Sequence, residues 1–355
     1  MKTETANKTK RATTTAEIAR LCGVSRSTVS AVLNGKPNVR EQTRRKVLEC
    51  LRQGNYASGN IARAFVGRLS RMIAVLASNM GSPFHMMMFR GINATLEAHG
   101  YHILFRSVRP EDQDDPETLQ NLYAYRPAGY IVLRGAEGPG GVYARRIIEE
   151  GVPLVAQGKL VGTESHSIQV DNRAAMKLSA EYVISKGHRR LAYLAGPTFS
   201  VTDKERQLGF VEALIEHDIP VSEAVFADAG ETAAAGYRAA LNLLKNPVTR
   251  PTALVCFNDM VAMGTYRAAH ELSLDIPGDL SVVGFDGIDF AELLGPPLTT
   301  VDTLPHVMGE MTAKLLVRVI ENRGPMDLIT EWVTPELLER ASVRAIVPPF
   351  DTRSK

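Results

Sequence analysis

The sequence has few cysteines and no long apolar segment, and these absences exclude several classes of protein. Cys22, Cys50 and Cys256 are widely spaced and form no CxxC pair, so we expect reduced thiols rather than a disulfide framework. No apolar run approaches the ~20 residues that span a bilayer. The first residues, MKTETANKTKR, are charged and precede no apolar segment. This predicts no secretory signal and a cytoplasmic location.

Sequence signatures of catalysis are also missing. The chain contains no GxSxG, GxxxxGK[ST] or HExxH motif, so it offers no nucleophile elbow, phosphate loop or zinc helix. Its eight histidines lack metal-ligand spacing. The segment GAEGPGG at 135–141 lacks the GxGxxG order, and we interpret it as a flexible loop. The sequence therefore predicts no catalytic residue, no metal and no cofactor.

Charge is unevenly distributed along the chain. The 355 residues are 45% hydrophobic, which is typical of a globular protein with two or three domains. The net charge is only +2, but residues 1–70 hold 14 Lys and Arg against 4 Asp and Glu. The remainder holds 27 against 35. A basic segment on an acidic body is typical of a module that binds a polyanion such as nucleic acid.

Two short helices are predicted within residues 13–35. Thr14 and Glu17 form a capping box, so the first helix is expected to begin there. Gly23 is expected to end it, because glycine readily adopts the left-handed conformation that closes a helix. The predicted buried face of this helix consists of Ile18, Leu21 and Cys22.

The second helix is predicted to begin with Ser25 as its cap. Its inward positions are Val29, Val32 and Leu33, and its outward positions are Arg26, Ser27, Ser30 and Ala31. Two short helices about a glycine turn form a helix-turn-helix, whose second helix lies in the major groove of DNA. The pattern alone is equally consistent with an ordinary helical hairpin.

Weaker patterns flank this pair. Residues 1–12 have no apolar periodicity, which predicts a disordered tail. Residues 40–51 are predicted to form a third helix, whose Val47, Leu48 and Leu51 close a small core. A very short helical segment at 61–65 leads to a new domain at about residue 69.

From Arg71 onward, apolar strands alternate with helical stretches. The first set of strands is predicted at 72–78, 101–107, 129–134 and 153–157, and the second at 191–195, 224–228, 252–257 and 281–285. Uninterrupted apolar strands between helices indicate parallel sheets covered on both faces. Two such units give two α/β lobes, with ligands expected beyond the carboxyl ends of the strands.

These segments resemble the LacI/GalR family of transcriptional regulators. The dense part of the match is AEIARLCGVSRSTVSAVLNGKPNV, TRRKVLE and GNYASGNIARAF, within residues 14–66. The match resumes at IQVDNRAA (168–175), KGHRRLAYLAGP (186–197), ERQLGF (205–210), FNDMVAMG (257–264), IPGDLSVVGFDGID (276–289) and PPLTTVD (296–302). It covers nearly the whole chain.

The resemblance implies an α/β protein with a helix-turn-helix headpiece at 13–57, a hinge helix and linker at 58–69, and an effector-binding domain at 70–355. That domain has two doubly wound parallel-sheet subdomains of the periplasmic-binding-protein-like kind around a ligand cleft. Their expected bounds are 70–169 plus about 302–331, and 170–301 plus about 332–350. The chain is expected to cross between them near Val170, Val301 and Trp332.

The resemblance also implies which residues contact DNA. The base-reading positions are Arg26, Ser27 and Ala31; an arginine there can bind guanine O6 and N7, whereas alanine reaches at most a thymine methyl. Phosphate contacts, which set the position of the protein on the DNA, are expected from Ser25, Thr28 and Asn34. Thr14 is a further residue expected to bind DNA. In the hinge, Phe65 is the expected minor-groove wedge, and Arg63 is a further residue expected to bind DNA. Phe65 stands where the family usually has leucine, and an aromatic wedge can still unstack a base step.

Eight residues are expected to line the ligand cleft by the same resemblance: Phe84, His85, Gln157, Thr202, Arg206, Glu231, Asn258 and Asp286. Arginine, carboxylate and amide groups together suit a polyhydroxylated or carboxylated ligand, because they offer paired donors and acceptors. Glu231 falls where relatives often carry an aromatic ring. Phe65 and His85 can instead be core residues, and Arg206 and Asp286 can instead form a structural ion pair.

The expected function is that of a homodimeric, cytoplasmic repressor that binds a pseudopalindromic operator and responds to a small effector, which is expected to be a carbohydrate or sugar acid. A ligand-insensitive regulator, an activator and a purine-type co-repressor sensor are open alternatives of the same fold. Two other classes are a two-lobed solute-binding protein and a sugar enzyme. The basic headpiece disfavours the first, and the absence of a catalytic pair disfavours the second.

Overall fold

A computed structural model describes residues 15–33, 39–53, 70–77, 81–108, 122, 125–133, 139–160, 162–198, 200–322 and 326–346. The described residues divide into two compact units. One takes its residues from 1–73 and 116–128, and the other from 74–115 and 129–355. The predicted tail and hinge, with Thr14, Asn34, Arg63 and Phe65, lie outside the described residues.

The first unit contains the three predicted headpiece helices. They are α1 (Thr15–Cys22), α2 (Arg26–Leu33) and α3 (Glu41–Gln53). Their shared core consists of Ala19, Cys22, Val29, Val32 and Val47. Gly23 has a φ of +60°, so the predicted glycine stop is confirmed.

One predicted core residue of α1 is wrong. Leu21 is 65% exposed, whereas Ala19 is buried together with Cys22. Ala19 and Cys22 are three residues apart and therefore share a helix face, while Leu21 is turned about 100° away from Cys22. The small side chain of Ala19 also lets α1 lie close to its neighbours.

The second unit is built largely on two six-stranded sheets. The strand order of the first is β11-β5-β4-β3-β1-β2. Its strands are β1 (Met72–Ala77), β2 (His102–Ser107), β3 (Gly129–Val132), β4 (Leu154–Gln157), β5 (His166–Val170) and β11 (Thr330–Val333). The helices that accompany it are α4 (Pro83–Ala98), α5 (Pro139–Glu149) and, from farther along the chain, α10 (Pro305–Glu321).

The second sheet has the order β12-β10-β9-β8-β6-β7. Its strands are β6 (Leu191–Ala195), β7 (Val225–Asp228), β8 (Ala253–Cys256), β9 (Ser281–Asp286), β10 (Thr299–Asp302) and β12 (Glu336–Leu338). Only β12 pairs antiparallel among these strands. The accompanying helices are α6 (Asn172–Ser185), α7 (Val201–Glu216), α8 (Ala233–Leu244) and α9 (Asp259–Glu271).

The second sheet is buried on both faces. Leu191 and Tyr193 face a core shared with α6 and α7, whereas Ala192 and Leu194 face a core shared with α8 and α9. Successive strand residues point to opposite faces, so a strand covered on both sides is apolar throughout. All eight predicted strands are present: the central ones are buried in this way, whereas β2 and β7, at the sheet edges, are largely exposed.

The chain passes between the two sheets three times. It leaves the first sheet after β5, which ends at Val170, and returns after β10, which ends at Asp302. The last passage lies between Val333 of β11 and Glu336 of β12. Short strands at these junctions, such as β11 and β12, are elements that the apolar pattern did not predict.

The predicted loop at 135–141 is wrong at its carboxyl end. Helix α5 begins at Pro139, so Gly140 and Gly141 are in its first turn. Proline suits the first helical position because the amide hydrogen it lacks has no helical partner there. Cys22 and Cys256 are buried and form no disulfide, as predicted. Over the described ranges, no helix is both long and apolar enough to cross a membrane.

Candidate functional site

The amino end of α2 carries a cluster of hydroxyl groups. Ser25 Oγ accepts a hydrogen bond from the Thr28 amide at 3.0 Å, which confirms Ser25 as the helix cap. The same oxygen lies 2.7 Å from Ser27 Oγ and 2.8 Å from Thr28 Oγ1. Arg26 and Ser27 are exposed, and Ala31 is half-buried. The exposed side chains at the start of α2 are therefore one arginine and short hydroxyls.

The second unit contains a cavity at the carboxyl ends of strands from both sheets. Gln157, Val170 and Asp286 are the last residues of their strands, and Asn258 follows β8 by two positions. All eight residues expected in the cleft line this cavity: Phe84, His85, Gln157, Thr202, Arg206, Glu231, Asn258 and Asp286. This is the position at which open α/β sheets bind ligands.

Arg206 of α7 is held at the centre of the lining and is only 7% exposed. Its Nε donates to Asn172 Oδ1 at 3.0 Å, and its Nη1 donates to the Phe257 carbonyl oxygen at 2.5 Å. Its guanidinium carbon lies 3.7 Å from the centre of the Phe285 ring and 4.6 Å from that of Phe257. These hydrogen bonds and aromatic contacts hold the guanidinium group in one orientation on the cavity wall.

Asp286 faces this arginine. Its Oδ1 lies 3.8 Å from Arg206 Nη2, and both side chains are 9% exposed. The main chain at Asp286 has a φ of +118°. Its carbonyl oxygen accepts hydrogen bonds from the amide and the hydroxyl of Thr303, both at 3.2 Å. The pair therefore combines a charged donor and a charged acceptor on one wall of the cavity.

Asn258 is a structural residue as well as a lining residue. Its Oδ1 accepts from the Val261 amide at 2.8 Å and so caps α9, while its Nδ2 donates to the Glu231 carbonyl oxygen at 3.2 Å. It is thus the link between the start of α9 and the loop before α8. Only its remaining hydrogen-bonding capacity is available to a ligand.

Helix α4, which accompanies the first sheet, also lines the cavity. The rings of Phe84 and His85, in the first turn of α4, pack edge to face with centroids 5.4 Å apart. His85 is buried and Phe84 is half-buried. Phe84 also packs against the core shared with α8 and α9, so α4 contacts the second sheet's lobe directly.

The expected set missed several lining residues, of which Asn172, Glu205, Phe257 and Thr303 are the polar or aromatic ones nearest Arg206 and Asp286. Three of these lie in motifs that carried the resemblance: Asn172 in IQVDNRAA, Glu205 in ERQLGF and Phe257 in FND. Thr303 follows PPLTTVD directly. Among the described residues, no group of three His, Cys, Asp or Glu side chains is arranged to hold a metal ion.

Comparison with known proteins places this arrangement in a family. Residues 14–58 match the family described as bacterial regulatory proteins, lacI family, and residues 180–343 match the periplasmic binding protein-like domain. A transcriptional repressor from Proteus mirabilis, PurR, is 31% identical over 330 residues, which are 92% of this chain and 96% of that protein. The chain belongs to the LacI family.

Two solved structures of transcriptional regulators cover almost the whole chain. The lac repressor dimer bound to operator and the anti-inducer ONPF is 25% identical, with a TM-score of 0.76 over 94% of this chain and all of that one. The complex of the regulator CelR with cellobiose is 26% identical, with a TM-score of 0.68 over 93% of this chain and 99% of that one. This LacI-family chain is a transcriptional regulator with a DNA-binding headpiece, and not an enzyme.

Proposed function

We propose that this protein is a cytoplasmic, homodimeric repressor whose affinity for a pseudopalindromic operator is controlled by a sugar bound in the cavity. The observation that carries the proposal is the facing of Arg206 and Asp286 at 3.8 Å, on a cavity at the strand ends. A sugar hydroxyl can accept from the arginine and donate to the carboxylate, which is the pairing such a ligand needs.

The relatives named above support both parts of the proposal, which are operator binding by a dimer and the binding of a sugar. The lac repressor was solved as a dimer on its operator, and CelR was solved with cellobiose. In a symmetric dimer, two copies of α2 face two half-sites of a palindrome. We assign base contacts to Arg26, Ser27 and Ala31, phosphate contacts to Thr14, Ser25, Thr28 and Asn34, and minor-groove contacts to Arg63 and Phe65.

The mechanism we propose is linkage between two sites. A sugar that binds one arrangement of the two lobes better than another shifts the population toward the first. If that arrangement holds the two headpieces at a spacing that does not fit the operator, the sugar lowers operator affinity. A sugar that favours the other arrangement raises operator affinity and therefore acts as a co-repressor. The titration below measures whether a given sugar raises or lowers operator affinity.

The test begins by selecting duplexes that bind the full-length protein from a random pool. We expect a palindromic consensus whose affinity falls with added salt, because phosphate contacts release counterions. The selected operator is then titrated in the presence of D-ribose, D-glucose, D-galactose, cellobiose, D-gluconate or hypoxanthine. A response to a neutral sugar supports the proposal; a response to hypoxanthine alone supports purine sensing, and the absence of any selected sequence contradicts operator binding.

A further inference from the structure

The backbone at Asp286 is unusual within the described part of the chain. Its φ of +118° stands apart from the other four non-glycine residues with positive φ, which lie between +46° and +55°. Those four values are near the left-handed helical region, whereas L residues rarely adopt the value at Asp286. Such a conformation persists only where surrounding interactions hold it.

The two residues that follow Asp286 are held by one carboxylate. Asp259 Oδ2 accepts hydrogen bonds from the Gly287 amide at 3.0 Å and from the Ile288 amide at 2.9 Å. Its other oxygen, Oδ1, accepts from the Thr300 hydroxyl at 2.6 Å. Asp259 therefore ties the turn after β9 to β10 and to the start of α9.

Capping of α9 does not account for Asp259. That helix already has Asn258 as its cap, and the three hydrogen bonds that Asp259 Oδ1 and Oδ2 accept from described residues all come from outside α9. The carboxyl group is completely buried, and burial raises its pKa to about 7. Burying a carboxyl group is costly unless its oxygens accept hydrogen bonds, and the bonds from Gly287, Ile288 and Thr300 offset that cost.

We propose that Asp259 is a positioning residue: by holding the Gly287 and Ile288 amides, it aims the Asp286 carboxylate at Arg206 and at the ligand. The inference rests on the proposed function, because it concerns a group that touches the effector. Asp259 itself does not line the cavity. Its contribution is transmitted through the main chain of residues 286–288.

Three variants of the full-length protein separate this role from mere structural support. Asp259→Ala removes the acceptor of both amides. Asp259→Asn retains a carbonyl oxygen for the amides and turns its NH₂ group toward the Thr300 hydroxyl, so it is the conservative variant. Thr300→Val is the matched control, because it removes the third hydrogen bond and leaves both amides paired.

The first readout is release of a labelled selected operator by D-ribose, D-glucose, D-galactose or cellobiose. In Asp259→Ala we expect the sugar concentration for half-release to rise about tenfold, as expected for loss of buried hydrogen bonds, with unchanged operator affinity in the absence of sugar. Asp259→Asn and Thr300→Val are expected to respond at the wild-type concentration. A wild-type response in Asp259→Ala, or an equal loss in Asp259→Asn, overturns the proposal.

The second readout needs no sugar and is hydrogen exchange of the Gly287 and Ile288 amides. We expect faster exchange in Asp259→Ala and wild-type exchange in Asp259→Asn; unchanged exchange in the alanine variant overturns the proposal. If no sugar raises or lowers the operator affinity of the wild-type protein, the proposed function fails while this readout still decides the role of Asp259. Should the alanine variant not fold, Asp259→Ser, whose hydroxyl is too short to reach both amides, takes its place.

Discussion

Arg206 Nη2 and Asp286 Oδ1 lie 3.8 Å apart on the cavity wall, close enough to attract and too far apart for a direct hydrogen bond. The other guanidinium nitrogens of Arg206 already donate to Asn172 and to the Phe257 carbonyl. We propose that one ligand hydroxyl bonds to both Arg206 Nη2 and the Asp286 carboxylate across this distance. A purely structural ion pair would gain by closing to a shorter distance.

Removing either member of this pair is expected to weaken sugar binding without affecting operator binding. Arg206→Ala and Asp286→Ala should each raise the sugar concentration for operator release about 10- to 100-fold, as expected for loss of a charged hydrogen-bonding partner. Fluorescence anisotropy of a labelled operator measures both quantities. The control is Lys204→Ala, an exposed position on the same helix. Simultaneous loss of operator binding and sugar response would show that the pair is structural.

Arg26 is expected to determine sequence preference, and Thr28 to contribute affinity alone. Arg26→Ala should reduce discrimination at one base pair of each half-site by ~1–3 kcal/mol, whereas Thr28→Val should weaken binding to all operators alike. Competition between operators that differ at single base pairs measures the difference. If Arg26→Ala lowers the affinities for all these operators equally, the arginine binds phosphate.

Asn258 is expected to combine a capping role with a role at the cavity. Asn258→Ala should lower the free energy of unfolding by ~1 kcal/mol, because the Val261 amide loses its cap. Asn258→Asp keeps an acceptor for that amide but loses the donor to the Glu231 carbonyl, which lies at 3.2 Å. We therefore expect near-normal stability and an altered sugar response from Asn258→Asp in thermal unfolding and release assays. Equal destabilisation by both variants would count against the capping role.

Asp259 is expected to make stability depend on pH. Burial raises its pKa from the ordinary 3.8 to about 7, so the folded state binds this proton more tightly than the unfolded state does. The stabilisation of the folded state by this proton is complete below the ordinary pKa of 3.8 and is lost as the pH rises through about 7. Asp259→Asn has no such proton to lose. The thermal midpoint of Asp259→Asn minus that of the wild type should therefore be larger at pH 8 than at pH 5. A difference that does not change with pH would contradict the raised pKa of Asp259.

Local patterns in the sequence predicted the buried parts of the fold. Strands such as β1 and β6 are uninterrupted apolar runs, and α3 has a clear helical period, so each appears within a few residues of its predicted position. Strands β11 and β12 are short and partly exposed, and they pair with residues far away along the chain. The apolar pattern gives no clear signal for strands of only three or four residues with a partner so distant in the sequence.

The candidate site was predicted from motifs that resemble the family, and not from the periodicity of apolar residues. The motifs that resemble the family contain Arg206, Asn258 and Asp286, which were predicted to line the cleft. They also contain Asn172 and Phe257, which line the cavity and were not predicted to do so. The role of Asp259 could not be predicted, because its partners Gly287, Ile288 and Thr300 lie 28 to 41 residues later in the chain. Only the folded arrangement of α9, β9 and β10 brings them together.

The most direct test of the account is a thermodynamic cycle between sugar and operator. The affinity of the full-length protein for its selected operator is measured with and without a saturating sugar, and the affinity for that sugar is measured with and without saturating operator. Linkage requires the two ratios to be equal, and we expect a common factor of ~5–150. An operator affinity that no bound sugar changes would contradict the proposal that the cavity controls the headpiece.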